Sequence, residues 1–300
     1  MVDFKALETF MWVANLRSFR GAAEKLHMTQ PAVSMRIAQL EYLLKVRLLE
    51  RDRKLVALTD KGRTLLVYVD RLLRLRTEMI EAVGDLTSMR GLVRLGVSET
   101  IVNTWLPTLM ERVNTAYPNL ELEIEVDISQ NLLDRLVSKN LNLAFLLGPA
   151  GNPNVQSRPL CTYPLAFVTG RKITFASKTI PLEEIARWPI ITFSRNTQPY
   201  VAVRELFSRR GLSPTIHASA SLATAVRMAL DGIGIAVIPP AILATMLGQK
   251  QLRSLTSDVE LPSLNFVVSW PAAPDSFGAQ KVAEIAVEVA KGESQSRKSK

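Results

Sequence analysis

The stretch Phe19-Arg20-Gly21-Ala22-Ala23-Glu24-Lys25-Leu26-His27-Met28-Thr29-Gln30-Pro31-Ala32-Val33-Ser34 places two helix starts around one tight turn. Ser18 stands where it can cap a helix over Phe19–Leu26, and Ala22 and Ala23 leave that helix thin enough for a neighbour to approach. His27-Met28 makes the turn. Thr29 then caps a second helix with Pro31 in its first turn, where the missing N–H costs nothing. Val33, Ile37, Leu40 and Leu44 follow at spacings of four, three and four and share one buried stripe. Pro31, Ser34, Met35, Ala38 and Tyr42 point away from that stripe, with Gln30 and Arg36 on its flanks. A short helix, a tight turn and a second helix that is polar at its outer N-terminal face is the form in which side chains enter the DNA major groove.

Working outward, Phe4, Leu7, Phe10, Met11 and Ala14 mark one face of a preceding helix, with Asp3 available as its N-cap. Leu48–Thr59 reads as a charged hairpin, or wing. Arg51, Arg53 and Lys54 near its tip suit phosphate contact, which positions a protein on DNA without specifying a sequence. The charge distribution agrees. Of the net +9, residues 1–90 carry +5, residues 91–290 carry +1, and Arg17–Arg63 alone holds 11 basic against 5 acidic side chains. A basic module joined to a near-neutral larger one is the electrostatic footprint of a nucleic-acid binder with a second function attached.

From Thr59 to Met89 the chain runs without proline. Leu65, Val69, Leu72, Arg76, Met79, Val83 and Leu86 form a heptad seam, and Leu66, Leu73 and Ile80 lie beside it at intervals of seven. A seam this long is expected to pair with its own copy. Two heads on a two-fold dimer then predict a partly palindromic DNA site.

Beyond residue 90 the pattern changes to alternating strands and helices. Strands are expected at Gly91–Val97, Leu120–Val126 and Leu141–Leu147, with helices from Ser98 towards Tyr117 and from Ser129 to Lys139. The rhythm recurs with strands Trp188–Phe193, Thr215–Ala218 and Gly234–Ile238, and with helices Pro199–Arg210, Ser221–Asp231 and one around Pro240–Leu247. This implies parallel sheet covered by helices, in two successive units with a cleft between them. Ligands bind such sheets at the carboxyl ends of the strands.

The run Phe19–Ser34, with Ile37, Leu40-Glu41, Arg51 and Leu58-Thr59-Asp60-Lys61-Gly62, resembles the winged helix–turn–helix of LysR-type transcriptional regulators over residues 4–63. Pro107, Pro118 and Asp231-Gly232-Ile233-Gly234-Ile235-Ala236-Val237-Ile238-Pro239 look like the effector-binding domain of that family, which resembles periplasmic solute-binding proteins. Leu141-Asn142-Leu143-Ala144 departs from the family's usual Leu-Asp-Leu-Ala.

The resemblance implies a winged helix–turn–helix over 1–58, a linker and dimerisation helix over 59–89, and a two-subdomain α/β effector-binding domain over 91–292. Subdomain I would take about 91–162 plus 265–292 and subdomain II about 163–264. The polar tail, residues 293–300, reads as disordered. Gln30, Pro31, Ser34 and Met35 match positions that face DNA in the family, with Arg36 following. Met35 is apolar where the family is usually polar, so a thymine methyl is its expected contact. The implied partners are double-stranded promoter DNA, further copies of the chain up to a homotetramer, and RNA polymerase as an additional candidate.

Ser98 and Thr100 sit where a strand gives way to a helix, so their hydroxyls and free N–H groups could hold an anion. Ser129 and Ser194 occupy similar junctions, and Arg195 could add a charge-assisted bond to a carboxylate. Individually each hydroxyl is a helix cap; together they converge on the cleft. Family habit favours an organic acid or aromatic metabolite as co-inducer, with no bound cofactor. Glu99 is awkward for an anion, and fits either an outward-pointing side chain or an effector carrying a donor or a positive group.

Composition narrows the alternatives. The 47% hydrophobic and 22% charged content suits packed domains. One cysteine, Cys161, and two histidines, His27 and His217, leave metal and triad chemistry without parts. With no phosphate loop or nucleophile–base pairing, an enzyme is not expected. The N-terminus lacks the basic-then-apolar form of a secretory signal and no run is long enough to cross a membrane, so the expected location is the cytoplasm.

Overall fold

The computed structural model describes residues 2–51, 56–83, 90–149, 151–152, 155–244, 251–271 and 277–298. The chain divides near residue 86 into two compact units.

In the first unit, α1 (Phe4–Leu16), α2 (Phe19–Lys25) and α3 (Gln30–Leu44) are each started by the residue the sequence offered. Asp3 accepts from the Ala6 N–H, Ser18 from Gly21 and Thr29 from Ala32, satisfying donors that a helix start leaves orphaned. His27 adopts φ 52°, and the Met28 N–H bonds the Ala23 carbonyl at 2.9 Å, so the turn closes α2 in the left-handed manner. Ala22, Ala23, Val33, Ile37 and Leu40 are buried together with Phe10, Met11 and Trp12.

The strands β1 (Leu49–Arg51) and β2 (Val56–Leu58) pair antiparallel as the wing. Glu41 fastens the wing to α3: its Oε1 accepts from the Leu48 N–H at 2.7 Å and from the Leu49 N–H at 3.2 Å. On the other side the Thr59 hydroxyl donates to the Arg47 carbonyl at 2.7 Å and accepts from the Gly62 N–H at 2.9 Å.

Gly62 begins α4 (Asp60–Val83) so close to the wing that a Cβ there would lie 2.1 Å from the Leu48 carbonyl oxygen. The helix then alters the seam expected from its heptads. Val69 and Leu73 are buried in the head's own core, so they are unavailable to a partner. Tyr68, Leu72, Leu75 and Met79 stay exposed at spacings of four, three and four, while the Arg76 guanidinium lies 5.4 Å from the Phe4 ring. Heptad spacing reports a continuous apolar face but not what covers it, and here α1 covers part of it. The side chains of Ile80 and Val83 and the whole of Leu86 lie outside the described residues.

The second unit holds two mixed sheets where the repeating pattern implied parallel ones. In the first, the order is β4 (Leu120–Val126), β3 (Gly91–Val97), β5 (Leu143–Leu147), β13 (Ser263–Pro271) and β6 (Val155–Pro164). β4, β3 and β5 run parallel, β13 is antiparallel to β5, and β6 pairs antiparallel with β13. The second sheet runs β10 (Ile216–Ser219), β9 (Ile190–Phe193), β11 (Ile235–Ile238), β7 (Ala166–Gly170), β12 (Leu252–Ser257) and β8 (Thr179–Ile180). There too β7 meets β11 and β12 antiparallel. The chain passes between the sheets at β6–β7 and returns at β12–β13. The two crossings touch, with the Leu165 N–H donating to the Pro262 carbonyl at 3.2 Å.

Helices expected as single pieces are modified. The one after Ser98 breaks into α5 (Glu99–Val102) and α6 (Leu106–Ala116), with Pro107 in the first turn of α6, where proline is tolerated. α7 (Ser129–Val137) follows β4, the short α8 (Leu182–Ile185) precedes β9, and α9 (Gln198–Arg209) and α10 (Leu222–Leu230) flank β10. Pro240–Ala244 is a 3-10 turn. α11 (Phe277–Lys298) buries Val282, Ala286 and Ala290 in the domain core. It continues through the tail expected to be disordered, as far as Lys298, because Glu293, Gln295, Arg297 and Lys298 all favour helix.

Gly62→Ala forces its methyl onto the Leu48 carbonyl and is expected to cost the head about 1–3 kcal/mol. Denaturant unfolding of the full chain, followed by hydrogen-exchange protection of the α1–α3 amides, measures it.

Candidate nucleic-acid interface and ligand cleft

The outer face of α3 is uncovered within its unit. Gln30 and Pro31 are exposed, Ser34 is half-buried, and Met35 is 70% exposed. A thioether this open gains nothing from its own fold. Tyr42 stands on the same side, 82% exposed.

Arg36 differs from its neighbours. Its Nη1 donates to the Thr9 hydroxyl at 3.3 Å and lies 3.2 Å from the Met28 sulfur. The side chain therefore ties α3 to α1 and to the turn, whereas the sequence placed it among the DNA contacts. Arg51 lies on β1 with its side chain outside the described residues, and Arg53 and Lys54 also lie outside them.

In the second unit a cleft of about 340 Å³ opens between the two sheets. The β3–α5 junction supplies Ser98, Glu99 and Thr100, the β4–α7 junction supplies Asp127 and Ser129, and the segment after β9 supplies Asn196, Thr197 and Gln198. Its apolar walls include Ile128, Leu147, Phe193, Leu222 and Phe266. Three of the five expected ligand residues, Ser98, Thr100 and Ser129, are thus brought together.

Two of these hydroxyls are already engaged. The Ser98 Oγ donates to the Phe145 carbonyl at 3.0 Å, and the Ser129 Oγ accepts from the Leu147 N–H at 2.9 Å. Thr100 is different. It is 3% exposed, lines the cleft, and its hydroxyl has no hydrogen-bond partner among the described residues.

Ser194 and Arg195 are not among the residues lining the cleft. The Ser194 carbonyl accepts from the Thr197 N–H and hydroxyl, which turns the chain so that residues 196–199 form the wall. The anion cradle expected at Ser98 is also absent: α5 is a single turn, and Ser98 makes no side-chain cap bond to it.

Glu99 is the residue whose role sequence reasoning missed. Its Oε2 accepts from the Leu222 N–H at 2.6 Å and its Oε1 from the Ser221 hydroxyl at 3.3 Å. It therefore reaches from the first sheet's side of the cleft to the first turn of α10 on the other. The carboxylate completes the capping of that helix at the end favourable to negative charge. The nearby Ser98-Glu99-Thr100 signal could flag the junction but not its partner, which lies 123 residues further along the chain.

With both sites described, the comparisons decide the family. Residues 4–63 match the bacterial regulatory helix-turn-helix protein, lysR family, and residues 87–291 match the LysR substrate binding domain. The chain belongs to the LysR family. It is a LysR-type transcriptional regulator, with a helix–turn–helix domain and an effector-binding domain, and not an enzyme. It is 28% identical over 239 residues to the HTH-type transcriptional regulator CzcR of Bacillus anthracis, covering 79% of this chain and 80% of that one. In fold it is similar to a full-length OxyR variant from Pseudomonas aeruginosa, with a TM-score of 0.62 at 21% identity, covering 97% and 95% of the two chains. It is also similar to full-length CbnR crystallised with its target DNA, with a TM-score of 0.53 at 19% identity, covering 96% and 100%. No described helix of this LysR regulator is long and apolar enough to cross a membrane.

Because Arg36 bonds inward, Arg36→Ala should lower the head's stability by about 1 kcal/mol and leave base preference unchanged. Denaturation paired with site selection on random DNA would show both. A changed base preference at unchanged stability would return Arg36 to the reading face.

Proposed function

We propose that this regulator binds a two-fold promoter site as a dimer, with α3 of each copy in the major groove. The observation that carries the reading is the uncovered face of α3, where Gln30, Pro31 and Met35 are exposed and Ser34 is half-buried. In this reading Gln30 and Ser34 hydrogen-bond base edges or phosphates, and Met35 supplies an apolar contact to a thymine methyl. Arg51, Arg53 and Lys54 contact phosphates, which fix register without reading sequence. That CbnR has been crystallised with its target DNA supports the use of this fold on duplex DNA.

The pairing surface in this reading is the exposed stripe Tyr68, Leu72, Leu75 and Met79 of α4, whose spacing suits a helix–helix seam. Two dimers then assemble into a tetramer, and RNA polymerase is the further partner of a regulator seated at a promoter. A small molecule in the cleft shifts the balance between two arrangements of the assembly, in proportion to its differential affinity for them.

The decisive experiment is a genome-wide pull-down with purified protein, read by sequencing. A sharp set of sites sharing a two-fold symmetric motif is expected. Diffuse, salt-sensitive binding with no motif would make the protein a non-specific DNA organiser instead. In the same assay Met35→Ala should relax preference at one base pair per half-site while binding persists. Leu72→Asp combined with Leu75→Asp should leave the head folded but yield monomers in sedimentation, with DNA affinity lost at least about a hundredfold, because both half-site contacts no longer arrive together.

A further inference from the structure

The cleft's charge is the reverse of what a carboxylate effector needs. No lysine, arginine or histidine is among the described residues that line it, whereas Glu99 and Asp127 both do. Neither carboxylate forms an ion pair among the described residues. Asp127 Oδ1 accepts from the Ile128 N–H at 2.7 Å and from the Asn131 side chain at 2.9 Å, both neutral donors. Glu99 is held by the Leu222 N–H and the Ser221 hydroxyl, also neutral. The chain's own carboxylate thus occupies the start of α10, a place in this cleft where a ligand anion would otherwise find a backbone donor. An incoming carboxylate would lose its hydration beside two negative charges with no compensating cation, an unfavourable exchange in a partly dry site.

A positive ligand reverses every sign in that account. We infer that the effector is a small amphipathic amine whose ammonium group sits between Asp127 and Glu99, with its apolar body against Ile128, Phe193 and Phe266. This rests on the reading of the cleft as the effector site. The Thr100 hydroxyl, 3% exposed and without a partner among the described residues, accepts from the ammonium or bonds a neighbouring polar group of the ligand. A primary ammonium carries three donors, enough to use both carboxylates and Thr100 at once. Asp127 and Glu99 both stand at strand ends of the first sheet, and Glu99 also holds the Leu222 N–H on the other side, so the cation binds next to the bridge that joins the two sides of the cleft.

The test uses the full-length protein in an amine-free buffer and three probes of one skeleton: benzylamine, benzyl alcohol and benzoate. Titration calorimetry and saturation-transfer NMR report their binding. Benzylamine is expected to bind at least about tenfold more tightly than the other two. Asp127→Asn keeps the acceptor for the Ile128 N–H and should remove most of that preference; Glu99→Gln keeps an acceptor for Leu222 and should reduce it; Thr100→Val should weaken benzylamine further than benzyl alcohol. Tighter binding of benzoate, equal binding of all three, or a preference for benzylamine that survives both carboxylate substitutions overturns the inference and leaves the effector reading standing. If none of the three binds, both fall.

Discussion

A backbone N–H removed from water needs an acceptor, and where strands and helices meet this chain meets that demand with side-chain oxygens. Asp3, Ser18 and Thr29 start the three head helices. Glu41 takes the two donors at the start of the wing, so the wing and the reading helix hold one fixed relation. Ser129 receives the donor at the end of β5, and Glu99 receives the one at the start of α10. Each such bond is modest by itself, but the cost of leaving its donor unpaired is larger, so these junctions admit few alternatives. The rest of the architecture is built on elements whose ends are fixed in this way.

The head was legible because its instructions are local. Caps sit three residues from their targets, the turn lies within one short run, and the buried stripe of Val33, Ile37 and Leu40 repeats at helical spacing. Legibility failed where a partner lay far away in sequence. Nothing about Val69 or Leu73 says that α1 covers them, so by spacing alone Val69 falls in a dimer seam and Leu73 beside it, whereas the fold buries both in the head. The strands β6 and β13 escaped notice for a related reason. β6 carries Pro159 and Pro164 and a polar run at Gln156, Ser157 and Arg158, and it becomes a strand by pairing with a segment about a hundred residues on.

The cleft shows how ambiguous hydroxyls are as sequence signals. Ser98, Thr100 and Ser129 were chosen by one argument, and all three reached the cleft, yet two serve the fold. Only the register of β5 beside β3 reveals which: it brings the Phe145 carbonyl to Ser98 and the Leu147 N–H to Ser129. Charge gave a similar lesson in reverse. Glu99 looked like an obstacle to a ligand, whereas it is a strut between the cleft's two sides whose sign restricts what can enter.

The docking of α4 on the head has a mechanical meaning. Its 24 residues extend for about 36 Å, and the near end is clamped twice, by Gly62 against the Leu48 carbonyl and by Val69 and Leu73 in the core. A shaft gripped along its first turns has no play at that end. In the dimer proposed above, a twist applied to the exposed stripe beyond would therefore reach α3 as rotation, and a small change of angle between the two shafts would change the distance between the two α3 helices.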